Sequence, residues 1–364
     1  MANGAYCPIT HSRNGRYPSL KEILIHRLRR NGKYVHYAIW HQIGSEALRS
    51  TAFVPIITQD FVANGIALDR VKELIWIFDL KPEGISSDDM KNVYTFFKNL
   101  GVPDNNFRVV YSCVEDVDKL TYPAVCLPAR MIDNGNWFTH LTNQNIHWDN
   151  MPMTHKIVCL MRRPSIARGN LAKQLLDNFD IDDLIITFGT NGEYCDRTII
   201  ESIHPHNFPL IVDFPATDYI SQHCLDHDLF YRAPVNLVVE SSSQLDPNTW
   251  RSIFITEKTF KAFAWHQFPL WYAGPRLVQE VRRLGFDVFD DLYGGHTYDL
   301  EEDPYTRMLE VVKLSNHICN QDVLQLRHQY WHRLQKNAEL VKKIHTDAIT
   351  QYTNELHKLI YDKI

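Results

Sequence analysis

The chain has 364 residues, of which 45% are hydrophobic, 12% aromatic and 22% charged, and its formal net charge is −5. This composition excludes a disordered or low-complexity chain, and the negative charge argues against a protein that binds nucleic acid mainly through phosphates. The length is more than one ordinary core needs, so it predicts two domains.

Short apolar runs bounded by turn residues alternate with longer amphipathic stretches, and this alternation predicts parallel sheets covered by helices. In the first half, predicted strands lie at 34–39, 73–78 and 107–111. Residues 88–100 have helical periodicity, which ends at Gly101. Because residues 122–152 are rich in Asn, Pro and Asp, we place a domain boundary at about residue 150.

The same alternation occurs in the second half. Predicted strands lie at 157–161, 184–188, 210–213, 235–239 and 268–273, and predicted helices at 167–179 and 257–265. From residue 322 the chain is almost free of Gly and Pro, and its apolar spacing predicts one or two long helices. We expect them to pack on both domains, with a coiled-coil dimer as the alternative. The predicted architecture is α/β, with domains at 1–150 and 151–321 and a helical segment at 322–364.

The seven cysteines are scattered and form no CxxC pair, so they predict neither a disulfide framework nor a zinc module. The eighteen histidines also lack the spacing of a metal site. No apolar run has the length of a membrane span or a signal core. We therefore expect a soluble, cytoplasmic protein without a bound metal.

The segment from Phe254 to Lys258 combines features that suit a bound anion. An apolar approach leads to Thr256, which we expect to cap a helix, and Glu257 and Lys258 follow in the first helical turn. A helix N-terminus offers backbone N–H groups and a favourable dipole to a phosphate, and lysine adds a positive charge. Taken alone, the same start also suits an ordinary surface helix.

Further polar residues lie at two predicted strand ends, where ligands bind in open parallel sheets. They are Glu240, Ser241 and Ser242 after the strand 235–239, and Arg162, Arg163 and Arg168 after the strand 157–161. Arginine binds phosphate oxygens with a fork geometry, so this basic cluster suits a bound anion. The alternative is a solvated basic turn.

Residues 235–291 resemble the α1,3-fucosyltransferase family. The family pattern is an apolar strand ending in E-N-S, then Y-[IV]-T-E-K, an amphipathic helix, and P-I-x-W/L-G-x-P. The corresponding residues here are Glu240-Ser241-Ser242, Phe254-Ile255-Thr256-Glu257-Lys258, and Pro269 to Pro275. Ser241 stands where the family has Asn, and Phe254 stands where it has Tyr, so the identity of the donor stays open.

The resemblance implies a GT-B glycosyltransferase with two Rossmann-type domains facing a cleft, the acceptor domain first and the donor domain second. The resemblance extends to a second family element, a strand and loop followed by an arginine that opens a helix, which corresponds to Arg162 to Gly169. It implies that Glu257 binds the ribose of a nucleotide sugar and that Lys258 and Arg168 bind its diphosphate, with Arg162 and Arg163 as substitutes for Arg168. The donor is a GDP- or UDP-sugar used as substrate, with no permanently bound cofactor. The reaction is an inverting, metal-independent transfer to a hydroxyl group of a glycan.

The general base is expected from the N-terminal domain. Asp79, directly after a predicted strand, is the first candidate, although it also suits a turn. The other candidates are Glu83, Glu115 and Asp116.

Two other functions stay open. Similar E-K-T-F segments occur in glycosyltransferase-like proteins of phages and large viruses, so the acceptor could be a hydroxylated base in phage DNA, and the location the host cytoplasm. The second alternative is a catalytically inactive nucleotide-binding protein.

Overall fold

The fold is known from a computed structural model of the chain. It describes residues 35–39, 48, 50–63, 65–80, 85–114, 116–127, 153–161, 165–188, 230–240 and 253–361. The chain divides into two compact units: unit 1 is 1–130 with 349–364, and unit 2 is 131–348. Each unit contains a four-stranded parallel sheet with helices, so the predicted α/β class is confirmed.

Unit 1 has its strands in chain order, β1-β2-β3-β4, and all neighbours are parallel. The strands are β1 (Val35–Ile39), β2 (Ile75–Asp79), β3 (Phe107–Tyr111) and β4 (Ala124–Cys126), and the helices are α1 (Phe53–Ala63) and α2 (Ser87–Asn99). Ser86 and Asp89 form a capping box that begins α2. The buried ring of Phe97 on α2 contacts the rings of Trp76, Phe78 and Phe107, which fixes this helix on the sheet.

Unit 2 has the strand order β6-β5-β7-β8, again parallel throughout. The strands are β5 (Ile157–Met161), β6 (Leu184–Phe188), β7 (Val235–Val239) and β8 (Phe268–Tyr272). The helices are α3 (Ile166–Asn178), α4 (Glu257–Ala264), α5 (Leu277–Arg283), α6 (Asp290–Tyr293), α7 (Pro304–Cys319) and α8 (Val323–Tyr361).

Most predicted elements are confirmed to within two residues at each end. The strands 107–111, 157–161, 184–188 and 235–239 have the predicted bounds. The predicted strand 210–213 lies outside the described residues. The long C-terminal segment is one helix of 39 residues, α8, whose residues to 348 belong to unit 2 and whose last turns belong to unit 1. Within the described ranges, no helix combines the length and apolar character that crossing a membrane requires.

The helices of unit 2 cover both faces of its sheet. Trp271 faces α4, because its indole N–H donates to Thr259 Oγ1 at 3.1 Å. The next residue, Tyr272, points to the opposite face, where α7 packs against β7, β8 and α3. Arg333 of α8 binds the carboxylates of Asp287 and Asp291, at 2.5 Å and 2.8 Å, and so holds the long helix against unit 2.

Candidate functional site

In the sheet of unit 2, the strand order reverses between β5 and β7. The chain passes from β5 to β6 on one side and then returns to β7 on the other side of β5. Strands β5 and β7 pair only at Ile157 with Val235 and at Val158 with Asn236, so the ladder stops well before their carboxyl ends. Ligands of open α/β sheets bind outside the carboxyl ends at such a reversal.

Helix α4 begins at this edge of the sheet. Thr256 is its N-cap, and the Thr256 hydroxyl accepts the backbone N–H of Lys258 at 3.3 Å. Phe254, Ile255 and Thr256 are buried, whereas Glu257 and Lys258 are only half-buried. The predicted cap is therefore confirmed, and the Glu-Lys pair lies at the start of the first turn, where the helix dipole favours an anion.

Glu240, the residue after β7, lies beneath the start of α4 and is fully buried. Its Oε1 accepts the backbone N–H of Thr256 at 3.0 Å and the hydroxyl of Thr259 at 2.7 Å. Its Oε2 accepts the Thr256 hydroxyl at 2.5 Å. These three hydrogen bonds satisfy the buried carboxylate and tie the end of β7 to the first turn of α4.

Among the residues that the structure describes, Lys258 is the cation that pairs with this carboxylate. Its Nζ lies 3.7 Å from Glu240 Oε2, and its side chain is 31% exposed, against 0% for Glu240. A ligand that approaches from solvent therefore meets the ammonium group before it meets the carboxylate.

Two residues that sequence analysis did not single out complete this arrangement. Thr259 donates to Glu240 and also accepts the indole N–H of Trp271 on β8, at 3.1 Å. The side chains of Glu240, Thr259 and Trp271 are each at least 98% buried. The only sequence signal was a threonine in the first turn of a predicted helix, where its hydroxyl can form a hydrogen bond. That signal does not show which residues the hydroxyl bonds to.

Arg168 lies on helix α3, which follows β5, whereas Lys258 lies on the helix that follows β7. Ser165 caps this helix, and its hydroxyl accepts the backbone N–H of Arg168 at 3.3 Å. Burial raises the pKa of the Cys159 thiol on β5, and the charge of Arg168 acts in the opposite direction. Arg168 is half-buried, and it lies near enough to the middle of β5 for its charge to act on that thiol.

Several predicted site residues lie outside the described residues. They are Glu83, Glu115, Arg162, Arg163, Ser241 and Ser242.

The candidate bases that the structure describes are in unit 1. Asp79 is the last residue of β2, and its side chain lies outside what the structure describes. Asp116 is exposed and forms a surface ion pair with Lys119, at 2.6 Å.

The described residues contain no group of three or more His, Cys, Asp or Glu side chains arranged to hold a metal ion. No protein-family model, curated protein or solved structure matches this chain.

Proposed function

We propose that this chain is a glycosyltransferase of the GT-B type, which transfers a sugar from a nucleotide-sugar donor to a hydroxyl acceptor with inversion. The observation that carries the proposal is the reversal between β5 and β7, where the strand ladder stops early. The helices that follow these two strands, α3 and α4, each carry a basic residue in the first turn. Two capped helix starts with cations at a sheet reversal suit a diphosphate.

The proposed roles follow from the chemistry of each side chain. Lys258 contributes a positive charge to the diphosphate, and Arg168 contributes a guanidinium fork. Glu257, beside Lys258 in the first turn, accepts the two ribose hydroxyls of the nucleotide. The same cations stabilise the charge that develops on the departing nucleoside diphosphate, so the proposed reaction needs no metal ion.

The proposed base is Asp79, at the carboxyl edge of the unit 1 sheet. In an inverting transfer, a carboxylate removes the proton from the acceptor hydroxyl while that oxygen attacks the anomeric carbon. The bond from the anomeric carbon to the diphosphate breaks, and the electron pair leaves with the nucleotide.

A binding experiment tests the donor site directly. Isothermal titration calorimetry with GDP, UDP and their sugar conjugates should show one preferred nucleotide for the wild-type protein. Lys258→Met keeps the length and apolar stem of the side chain but removes its charge, and we expect it to weaken that binding at least about tenfold. Lys313→Met is the matched control, because Lys313 is an exposed residue of α7 that forms a surface ion pair with Glu310.

The outcomes separate the competing functions. Equal loss of affinity in both variants, or no nucleotide binding at all, would refute the proposed donor site. Binding without hydrolysis or transfer of any donor sugar would favour an inactive nucleotide-binding protein. Transfer that stops with a chelator and returns with Mg²⁺ or Mn²⁺ would refute the metal-independent mechanism.

A further inference from the structure

Glu240 has a geometry that does not suit a direct ligand contact. The carboxylate is fully buried and already accepts three hydrogen bonds from Thr256 and Thr259. Because the carboxylate is fully buried, a ribose or phosphate at the start of α4 does not reach it without a rearrangement of the side chains that cover it. The residue therefore acts through its neighbours.

The neighbour that carries a charge is Lys258, whose Nζ lies 3.7 Å from Glu240 Oε2. This distance is too long for a strong hydrogen bond but short enough for a substantial attraction between the two charges. The Glu240 carboxylate thus partly neutralises the cation that the proposed site offers to a diphosphate. It also contributes negative charge that repels the same diphosphate.

We propose that Glu240 is a built-in counter-anion, a positioning residue that anchors the start of α4 and lowers the affinity of the site for a diphosphate. The effect on diphosphate affinity rests on the proposed function, whereas the anchoring of α4 does not. A limited affinity is useful in a transferase, because the nucleoside diphosphate product has to leave before the next donor binds.

Two substitutions separate the charge of Glu240 from its anchoring. In Glu240→Gln, the amide oxygen can still accept from Thr256 N–H and Thr259, and the amide N–H₂ can donate to the Thr256 hydroxyl, so the geometry is kept while the charge is lost. In Glu240→Ala, both are lost. We expect Glu240→Gln to bind GDP or UDP, and inorganic pyrophosphate, about fivefold more tightly than wild type, and Glu240→Ala to bind them more weakly.

Calorimetry at low ionic strength measures these affinities, with guanosine and uridine as ligands that lack phosphate. The gain in Glu240→Gln should be absent for the nucleosides and smaller when Lys258→Met is combined with it. Such a dependence on Lys258 and on phosphate would not arise from a merely structural role. The inference is overturned if Glu240→Gln binds the diphosphates no more tightly than wild type.

Hydrogen exchange of the amides of residues 256–260 judges the anchoring without any ligand. We expect faster exchange in Glu240→Ala and nearly wild-type exchange in Glu240→Gln; unchanged exchange in Glu240→Ala overturns the anchoring. If wild type and both variants bind no diphosphate, the proposed function and the counter-anion role both fail, while the exchange rates still decide the anchoring.

Discussion

The two sheets have the same number of described strands and the same parallel pairing, yet they differ at their carboxyl edges. In unit 1 the strands follow chain order, and no reversal occurs among those described. In unit 2 the order reverses between β5 and β7, and a buried carboxylate, Glu240, lies at that edge. A parallel sheet alone therefore does not define a ligand site; the order of its strands and the charges at their ends do.

Buried polar side chains form hydrogen bonds of both kinds in both units. In unit 1, Ser112 donates to the main-chain carbonyl of Leu80, and the hydroxyls of Tyr111 and Tyr122 bond to each other. In unit 2, Gln267 donates to the main-chain carbonyl of Ala233, and Thr259 donates to the carboxylate of Glu240. The Thr259–Glu240 bond differs in its place, because it joins a strand end to the helix start of the candidate site.

The largest effect that would sharpen this comparison is expected at Asp79, on the edge of unit 1. If the units divide the work as proposed, Asp79→Asn removes the base and should slow transfer by about 10²- to 10⁴-fold. Its nucleotide affinity should stay at the wild-type value, because the proposed donor contacts belong to unit 2. Single-turnover rates at saturating donor, combined with calorimetry, measure the two properties separately.

Asp116→Asn is the matched control for Asp79→Asn. Asp116 is exposed and paired with Lys119, so its loss should leave both turnover and nucleotide affinity unchanged. A large loss of turnover in Asp116→Asn, with none in Asp79→Asn, would move the base to the other candidate.

The fold was predictable from sequence to the extent that local signals define it. Five-residue apolar runs such as 157–161 and 235–239 gave strand bounds that the structure confirms, because a buried parallel strand is apolar on both faces. Helix α7, by contrast, was not predicted. Its pattern includes Arg307, which is only 1% exposed, and a buried arginine breaks the apolar stripe on which helix prediction depends.

The charged residues of the candidate site were predictable from the sequence, but the contacts among its residues were not. The sequence placed Glu240 at a strand end and Lys258 at a helix start, and the structure places both there. That Glu240 points inward to Thr256 and Thr259, and that Trp271 braces Thr259, depends on contacts between residues up to 19 positions apart. Such contacts leave no periodic signal in a sequence.

A smaller effect is expected from His296, a buried histidine of unit 2. Burial lowers its pKa to about 4, from an ordinary value of 6.5, although the carbonyl of Val288 and the charge of Asp290 favour the protonated form. The unfolded chain therefore takes up this proton first as the pH falls. The contribution of the neutral His296 to the free energy of unfolding is complete above about pH 6.5. It is lost as the pH falls to about 4, and the loss is up to roughly 3 kcal/mol.

His296→Gln isolates this contribution, since glutamine does not titrate and can still donate to the Val288 carbonyl, which His296 contacts at 2.6 Å. Urea unfolding at pH 7, 5 and 4 should show a smaller loss of stability for the variant than for wild type. Equal losses in the two proteins would mean that other groups set the acid sensitivity of unit 2.

The smallest effect tests whether the side-chain cluster of unit 2 stabilises the fold beyond its packing. Thr259→Val keeps the branched shape of the side chain but removes the hydroxyl that joins Glu240 to Trp271. We expect a loss of about 2 kcal/mol in the free energy of unfolding, because a buried indole N–H loses its acceptor and a carboxylate loses a donor. Thr259→Ser keeps the hydroxyl and loses only a methyl group, so it should cost about 1 kcal/mol. Urea unfolding measures both variants. If valine costs no more than serine, Thr259 stabilises unit 2 through its packing and not through its hydrogen bonds.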